Sequence, residues 1–507
     1  MADVTAPNQT TQSAERKVLL AAILGSGMAF LDGTVVNVSL PALQVAFHAT
    51  GSQLQWIVEA YALTLAALIL AGGAIGDRLG RKRVYLIGVA IFAAASAWCG
   101  AVQNIHAMVA ARSIQGIGAA LLIPGALSII TAGVPEERRG AAIGTWSGAT
   151  ALAAAGGPVV GGWLVQHASW RGIFLLNLPF AIAVFALSWN GFEETRQEGA
   201  KGIDWIGSCL ASAGLGLVTY ALLEAPSGTT AGIVWQAITG GVLVLLFMAY
   251  EAYSSNAMAP VELFRSRNFL GANLLTLFLY AALSATLYYM PLNLIQIQGY
   301  TPTQAGAVLL PVVLMIFLLS KWSGTLVDRF GPTLPLVIGP AVTGLGFVLF
   351  AVPDVPTIYW KTWLPAGMVF GFGLAMCVAP LTTVVMNAFP EERAGVASGV
   401  NNAVSRVANL LALAVFGVVL HYVFVNYLTS HLLRLHLPAD QLNAILIQKN
   451  HLAGITTNDP RVTHIIQRAF VAGFRRVMII GAILCGISAL CSALLIAKED
   501  SPKPTTI

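Results

Sequence analysis

The stretch GAIGDRLGRK, residues 73–82, places four charged residues between two long apolar runs. A second stretch, GTLVDRFGPT (324–333), repeats its Asp-Arg-x-Gly core. In the same way PEERRGAAIG (135–144) returns as PEERAGVASG (390–399), and the two offsets are 251 and 255 residues. Because both pairs recur in the same order, the chain contains two parallel copies of one unit. Parallel repeats of this kind in membrane proteins hold a substrate site at their interface.

The composition of the 507-residue chain indicates an all-α integral membrane protein. Hydrophobic residues make up 57% of it and charged residues 10%, whereas soluble domains have about 25% charged residues. Apolar runs of about 20 residues, the length that crosses a bilayer as a helix, recur along the whole chain. The net charge of +5 is not gathered into a basic surface with interleaved aromatic residues, so we expect no nucleic-acid partner.

Fourteen apolar segments are present, and six in each repeat leave two additional helices between the repeats. Lys and Arg crowd the short loops on one side, while the short loops on the other side hold only Arg171 and Lys361. The crowded side therefore faces the cytoplasm, and an even number of spans places both termini there. The expected parts are a tail at 1–16, a six-helix bundle at 17–191, the two additional helices at 203–252, a second six-helix bundle at 268–497 with a long outer loop at about 425–469, and a tail at 498–507.

Four motifs occur in order along the first repeat. They are Leu31-Asp32-x-Thr34 with Asn37-x-x-Leu40-Pro41 in the first helix, Gly73, Asp77, Arg78, Gly80 and Arg81 in the loop after the second, Arg112-x-x-Gln115-Gly116-x-Gly118 in the fourth, and Gly157, Pro158, Gly161 and Gly162 in the fifth. With these motifs the chain resembles the fourteen-helix drug:proton antiporters of the major facilitator superfamily over essentially its whole length. The second copy of the loop motif departs from the first, because Pro332 and Thr333 replace Arg81 and Lys82. A gating role is therefore less expected for that copy.

The resemblance implies a major facilitator fold, with two six-helix bundles and two extra central helices. It also implies export of small molecules in exchange for protons by alternating access. The proton gradient would drive this transport, so we expect no cofactor, no metal and no catalytic residues.

Asp32 lies midway along the first helix, where an ionised carboxylate costs about 2.5–3.5 kcal/mol on insertion scales. The neutral acid avoids most of this cost, so a group that is protonated on one side of the membrane and deprotonated on the other carries protons. We interpret Asp32 as such a carrier. The alternative is a buried aspartate satisfied by backbone and hydroxyl donors such as Thr34.

Glu59 and Arg112 lie at similar depths in the second and fourth helices, so an ion pair between them is geometrically feasible. Arg112 stays charged, and a carboxylate partner that takes up a proton therefore changes the local field strongly. Arg112 with Asp32 or with Glu59 is thus a candidate proton-coupling switch. A static structural pair is the alternative.

Polar residues at helical spacing mark a candidate substrate cavity in the second repeat. Such side chains share one helix face, and aromatic rings with polar groups suit large amphipathic substrates. The alternative is that these residues hold neighbouring helices together. The candidates are Tyr280, Ser284, Tyr288 and Gln296 on the ninth helix and its extension, and Asn402 and Arg406 on the thirteenth.

Two motifs are expected to act on conformation. Pro158, among the glycines of the fifth helix, removes one backbone donor, so we expect a bend that shapes the cavity. In the loop at 73–82, Gly80 permits a tight turn. Asp77 and Arg81 are predicted to latch the cytoplasmic side shut in the outward-facing state.

The leading hypothesis is a multidrug or antibiotic exporter of lipophilic and cationic molecules in the inner membrane of a bacterium. The alternative is a dedicated exporter of one metabolite or siderophore. An enzyme or receptor is disfavoured because no nucleophile–base pair, metal motif or soluble catalytic domain is evident. An importer is disfavoured by the resemblance of the fifth helix to the antiporter motif. The expected partners are the substrate, protons and the lipid bilayer; whether a periplasmic adaptor protein joins the outer loop is left open, and otherwise we expect a monomer.

Overall fold

The computed structural model describes residues 9–189, 193–196, 204–227, 230–254, 261–355, 357–389 and 391–496. Within these ranges the chain forms seventeen α-helices and no β-strand. The predicted tail at 498–507 and the first eight residues of the tail at 1–16 lie outside the described residues. The helices are α1 Gln9–Phe47, α2 Gly51–Leu79, α3 Arg81–Ala101, α4 Ile105–Gly133, α5 Glu136–His167, α6 Trp170–Leu175, α7 Asn177–Trp189, α8 Trp205–Glu224, α9 Ala231–Tyr253, α10 Arg267–Leu292, α11 Pro302–Ala307, α12 Leu310–Phe330, α13 Thr333–Ala351, α14 Trp363–Asn387, α15 Glu391–Leu432, α16 Ala439–Ile447 and α17 Pro460–Leu495.

The helices in the described ranges include fourteen stretches long and apolar enough to span a membrane, when the bent helix α2 is counted as one. Its two parts, Gly51–Ile69 and Ala71–Leu79, meet at 53°. Helices α6 and α7 share one span (Trp170–Trp189), and α11 with the beginning of α12 forms another (Pro302–Leu319). The fold class predicted from the sequence, an all-α integral membrane protein, is confirmed.

Contacts divide the chain into two compact units. The first comprises Met1–Ser39 and Ile57–Ser212, and the second comprises Leu40–Trp56 and Ala213–Ile507. The division passes through α1 and α2, so the hairpin between them belongs to the second unit. We call residues Leu40–Trp56 the hairpin tip.

In the first unit, α3 and α4 approach closely because each presents a glycine to the other. A Cβ on Gly88 would lie 2.8 Å from the backbone nitrogen of Leu122, and one on Gly118 would lie 2.6 Å from that of Phe92. Both distances are shorter than real Cβ contacts, so any side chain would force the helices apart. Close backbone approach at small residues is how helices pack in lipid, where apolar side chains gain nothing by turning inward.

In the second unit, α13 and α14 repeat this contact. A Cβ on Gly339 would lie 2.9 Å from the Gly373 carbonyl oxygen, and one on Gly373 would lie 2.7 Å from the Gly339 carbonyl oxygen. Gly339 follows Gly88 by 251 residues and Gly373 follows Gly118 by 255, the same offsets that separate the repeated loop motifs. The duplicated helix pair has therefore kept its contact.

The outer loop predicted at about 425–469 contains the ends of two long helices and a short helix between them. Helix α15 continues to Leu432 and α17 begins at Pro460, so residues 433–459 connect them and include α16. Asp459 caps α17: its carboxylate accepts the backbone N–H of Arg461 at 2.8 Å and the guanidinium of the same residue at 2.9 Å. These hydrogen bonds hold the pKa of the half-buried Asp459 below its ordinary value.

Candidate proton and substrate sites

The carboxylate of Asp32 is fully buried in the first unit and accepts hydrogen bonds from three side chains on two other helices, α4 and α7. Arg112 of α4 donates from Nη1 to Oδ2. Gln115 of α4 donates from Nε2 to Oδ1 at 2.9 Å, and Asn177 of α7 donates from Nδ2 to the same oxygen at 3.1 Å. A buried charge is tolerated when it is paired and hydrogen-bonded, and this arrangement supplies both conditions for an ionised Asp32.

Arg112 is held from several sides as well. Its Nε donates to the carbonyl of Ile57 at 3.0 Å, and its Nη1 donates to Oε1 of Gln115 at 2.8 Å. The guanidinium carbon lies 4.4 Å from the ring centroid of Tyr61, which is a cation–π distance. Residues 112 and 115 share one face of α4, so a single helix presents both donors to Asp32.

Asn177 reaches Asp32 because the sixth span is broken between α6 and α7. The amide group of Asn177 begins α7 and also donates to Oγ of Ser96 at 2.9 Å, while Ser96 donates to the carbonyl of Phe174 at 2.8 Å. Sequence reasoning missed Asn177 and Ser96 and gave Gln115 only as part of a motif. The available signal for Asn177 was an amide near the beginning of the apolar run at 171–191.

The structure separates the two carboxylates that sequence analysis offered as partners of Arg112. Arg112 pairs with Asp32, whereas Glu59 is fully buried and neither of its oxygens has a hydrogen-bond partner among the described residues. Thr34, the donor suggested for Asp32, instead donates to the carbonyls of Leu31 and Ala154 at 3.0 and 2.9 Å. Because an ionised carboxylate without donors is costly to bury, Glu59 is a second candidate for binding a proton or a cation.

The loop motif forms a turn that is tied to a second segment of the chain. Arg81 donates from Nε to Oδ1 of Asp77 at 2.8 Å, across the junction between α2 and α3. The carboxylate of Glu194 accepts the backbone N–H groups of Lys82 and Arg83, each at 3.0 Å, and so caps α3. Sequence reasoning did not single out Glu194, since its contacts are more than 100 residues away in the chain.

Gly80 is required in this turn for two reasons. Its φ of +118° lies in a region that other residues rarely adopt, and a Cβ would lie 2.7 Å from Cδ of Glu194. Arg78 is exposed on the last turn of α2, and Gly73 lies on α2 with a would-be Cβ 3.6 Å from Cβ of Pro124, an ordinary contact. The four motif residues other than Gly73 therefore cluster at the junction, and Gly73 lies two turns earlier.

The glycines of α5 face the segment of α1 that holds Asp32. A Cβ on Gly157 would lie 3.1 Å from the carbonyl oxygen of Leu31, and one on Gly161 would lie 3.0 Å from that of Val35. Pro158 and Gly162 are buried beside them. The bend expected at Pro158 does not break the helix, because α5 runs without interruption from Glu136 to His167.

The candidate cavity residues fall into two groups. Tyr288 and Gln296 line a small pocket, about 30 Å³ in volume and partly open to solvent, in the second unit. The others do not line this pocket; they are Tyr280, Ser284, Asn402 and Arg406. Ser284 donates to the carbonyl of Ala281 in its own helix at 2.7 Å.

The neighbouring Asn401 matches the alternative interpretation of these polar residues. Its Nδ2 donates to Oγ1 of Thr276 at 2.8 Å and to Oδ1 of Asn273 at 3.2 Å, and so joins α15 to α10. An amide that bridges two spans in this way holds helices together.

The hairpin tip forms one wall of the pocket and is fastened to the rest of the second unit by glutamine side chains. Gln55 donates from Nε2 to Oη of Tyr289 and to the carbonyl of Leu413, both at 2.9 Å. Gln44 donates to the carbonyl of His451 at 2.8 Å and accepts from Nε2 of Gln296 at 2.6 Å. The polar groups named in these contacts are neutral amides, hydroxyls and carbonyls, which suit uncharged or weakly polar parts of a ligand.

In the part of the chain that the structure describes, fourteen candidate spans, a buried ion pair and a duplicated helix pair are typical of a multi-pass membrane transporter. Residues 22–413 match the family model of the Major Facilitator Superfamily. The chain therefore belongs to this superfamily of small-molecule transporters.

Its relatives include named resistance proteins of bacteria. The multidrug resistance protein Stp of Mycobacterium tuberculosis is 34% identical over 79% of this chain and 75% of its own length. The methylenomycin A resistance protein of Bacillus subtilis is 33% identical over 82% of this chain and 89% of its own. The tetracenomycin C resistance and export protein of Streptomyces glaucescens is 31% identical over 79% and 75%.

Solved structures agree on the fold. A bacterial homologue of the human lysosomal transporter Spinster, in an inward-facing and unoccupied conformation, superposes with a TM-score of 0.68 at 18% identity and covers 95% of this chain and 97% of its own. A D-xylose–proton symporter gives 0.62 at 16% identity, over 96% and 99%. These identities are low, so the likeness concerns the fold alone.

Proposed function

We propose that this protein is a proton-coupled antiporter that exports lipophilic, often cationic small molecules across the inner membrane of a bacterium. The buried pair of Asp32 and Arg112 in the middle of the first unit carries the proposal. The names of the three relatives, two of which refer to resistance against a single antibiotic, support drug efflux. Those two names also favour the second candidate, a dedicated exporter of one metabolite.

The pair provides a physical basis for coupling. When Asp32 takes up a proton, Arg112 loses its charged partner and keeps only neutral acceptors, the carbonyl of Ile57 and the amide of Gln115. Removing one partner from a buried pair costs about 3–5 kcal/mol. A differential effect of about 5.5 kcal/mol converts a two-state population from 1:99 to 99:1. Protonation of this one group can therefore bias the equilibrium between inward-facing and outward-facing states.

The proposal includes the remaining expectations from the sequence. Both termini lie in the cytoplasm, two six-helix bundles flank two additional helices, and a single chain works without a cofactor on the proton gradient. Asp77 and Arg81 latch the cytoplasmic side in one of the two states. In this orientation the hairpin tip and the pocket behind it lie on the outer side.

The test is transport by Asp32→Asn in proteoliposomes with an imposed pH gradient. We expect gradient-driven export of a lipophilic cation to fall to background, because the neutral amide cannot exchange a proton. Asp204→Asn is the control; Asp204 is also buried, but it caps α8 through the N–H of Gly207 and should leave export near the wild-type rate. Both variants should elute as monodisperse protein. Full gradient-driven export by Asp32→Asn would refute the carrier role.

A further inference from the structure

The helix that holds Asp32 is also bound on its other side, through Thr34. Asp32 and Thr34 are two residues apart, so their side chains leave α1 about 200° from each other. Asp32 faces α4 and α7, whereas Thr34 faces α5, where its hydroxyl donates to the carbonyl of Ala154 at 2.9 Å. This short segment of α1 is therefore held between two sets of hydrogen bonds.

The carbonyl that Thr34 binds lacks the backbone N–H donor that a helix normally supplies. In an α-helix the carbonyl of residue 154 accepts the N–H of residue 158, but residue 158 is Pro and has no N–H. A backbone carbonyl without a donor in the hydrocarbon region costs several kcal/mol. The hydroxyl of Thr34 supplies the donor that Pro158 lacks.

The glycines of α5 make this contact feasible. A Cβ on Gly157 would collide with the hydroxyl oxygen of Thr34 itself, and one on Gly161 would press against Val35. The Gly-Pro-x-x-Gly pattern therefore does two things at one place. Pro158 frees a carbonyl, and the glycines let α1 come close enough to bind it.

We infer that Thr34 is a positioning residue for proton coupling, whose hydroxyl replaces the missing N–H of Pro158 and fixes the Asp32 segment of α1 against α5. A rotation of α1 that withdraws Asp32 from Arg112 also strains the bond from Thr34 to Ala154. The state of the carboxylate is thereby communicated to α5. The inference rests on the proposed function, because it needs Asp32 to act in proton-coupled transport.

The chain offers a matched control in Thr64 of α2. Its hydroxyl donates across to the carbonyl of Ser113 in α4 at 2.9 Å and to Ala60 in its own helix at 3.0 Å, much as Thr34 donates to Ala154 and to Leu31. A glycine, Gly116, again makes room for the hydroxyl. Residue 117 is Ile, however, so the carbonyl of Ser113 keeps its helical donor when the hydroxyl is removed.

The experiment compares Thr34→Val, Thr64→Val and Thr34→Val combined with Pro158→Ala. Two rates are measured in proteoliposomes with radiolabelled tetraphenylphosphonium, a lipophilic cation: export driven by a pH gradient, and exchange of labelled for unlabelled probe at uniform pH. We expect Thr34→Val to lower gradient-driven export at least about fivefold while exchange stays within about twofold, since a lost hydrogen bond to a buried group has effects of this size. Thr64→Val should stay within about twofold in both rates.

Adding Pro158→Ala restores an N–H to residue 158 and should recover most of the lost export. A purely structural role for Thr34 would lower export and exchange together, and this outcome would overturn the inference. Equal effects of Thr34→Val and Thr64→Val, or no recovery with Pro158→Ala, would also overturn it. If the wild-type protein shows exchange but no gradient-driven export, the proposed proton coupling fails instead, whatever the variants do.

Discussion

At the scale of single residues, charge decided what sequence analysis found. Asp32 and Arg112 were predictable because few ionisable residues occur inside apolar spans, and such residues are functional by default. Their neutral partners were not predictable: Gln115 and Asn177 contact Asp32 from 83 and 145 residues away, and an isolated amide in a span has several uses. Which amide side chains contact Asp32 is determined by how the helices pack in three dimensions.

Glu59 differs from Asp32. Sequence analysis identified it as a candidate, but its carboxylate has no hydrogen-bond partner among the described residues. An ionised Glu59 would attract a cation into the first unit, whereas a neutral glutamine would not. We therefore expect Glu59→Gln to reduce resistance to cationic compounds more than resistance to neutral ones. The measurement is the resistance profile of cells that produce each variant.

The control for this comparison is Glu251→Gln, which replaces a buried glutamate of α9 in the second unit. In this variant, the ratio of resistance to cationic compounds over resistance to neutral compounds should stay at the wild-type value. An equal loss of resistance to both classes in Glu59→Gln would argue against cation attraction.

At the scale of helices, the number of spans followed from apolar length, but their interruptions did not. The break before Asn177, the 53° bend in α2 and the π-helix at Asn293–Ile297 all lie within apolar runs that predict continuous helices. At Pro158, where a bend is expected, α5 continues as one helix, as α4 does at Pro124. In α5 a hydroxyl from a neighbouring helix, that of Thr34, satisfies the carbonyl that the proline frees.

The hairpin tip is the element for which the structure makes a direct prediction. It joins the second unit through Gln44 and Gln55, while the rest of α1 and α2 belongs to the first. Any movement that carries α1 and α2 away at this end must break these hydrogen bonds. We expect Gln44→Leu with Gln55→Leu to raise the labelling rate of a cysteine placed at Ser52, a pocket-lining residue, by about 5- to 30-fold, as a change of 1–2 kcal/mol in a two-state equilibrium would.

The reagent is a membrane-impermeant maleimide added from outside, with the native cysteines replaced. Gln53→Leu is the control: Gln53 accepts the N–H of Thr50 within the tip, so its loss leaves the fastening to the second unit intact. Unchanged labelling in the double variant would mean that these bonds do not restrain opening.

At the scale of the whole molecule, the distribution of Lys and Arg predicts orientation, and this prediction can be tested directly. A green fluorescent protein fused to either terminus should fluoresce. This reporter folds in the cytoplasm, and it does not become fluorescent when it is exported through the general secretory route. Alkaline phosphatase inserted after Asp440, in the segment between α15 and α17, should be active, because it requires the periplasm. The reverse pattern would contradict the proposed topology and place the hairpin tip on the inner side.

The reciprocal glycine contact has a consequence for the ancestry of the chain. Gly88 with Gly118, and Gly339 with Gly373, show that both descendants of one ancestral half kept the same backbone crossing. Their chemistry diverged: 255 residues after Arg112 stands Gly367, a position with no charge. The geometry that two neighbouring helices need is therefore common to both halves, while the position of the buried arginine is charged in only one of them.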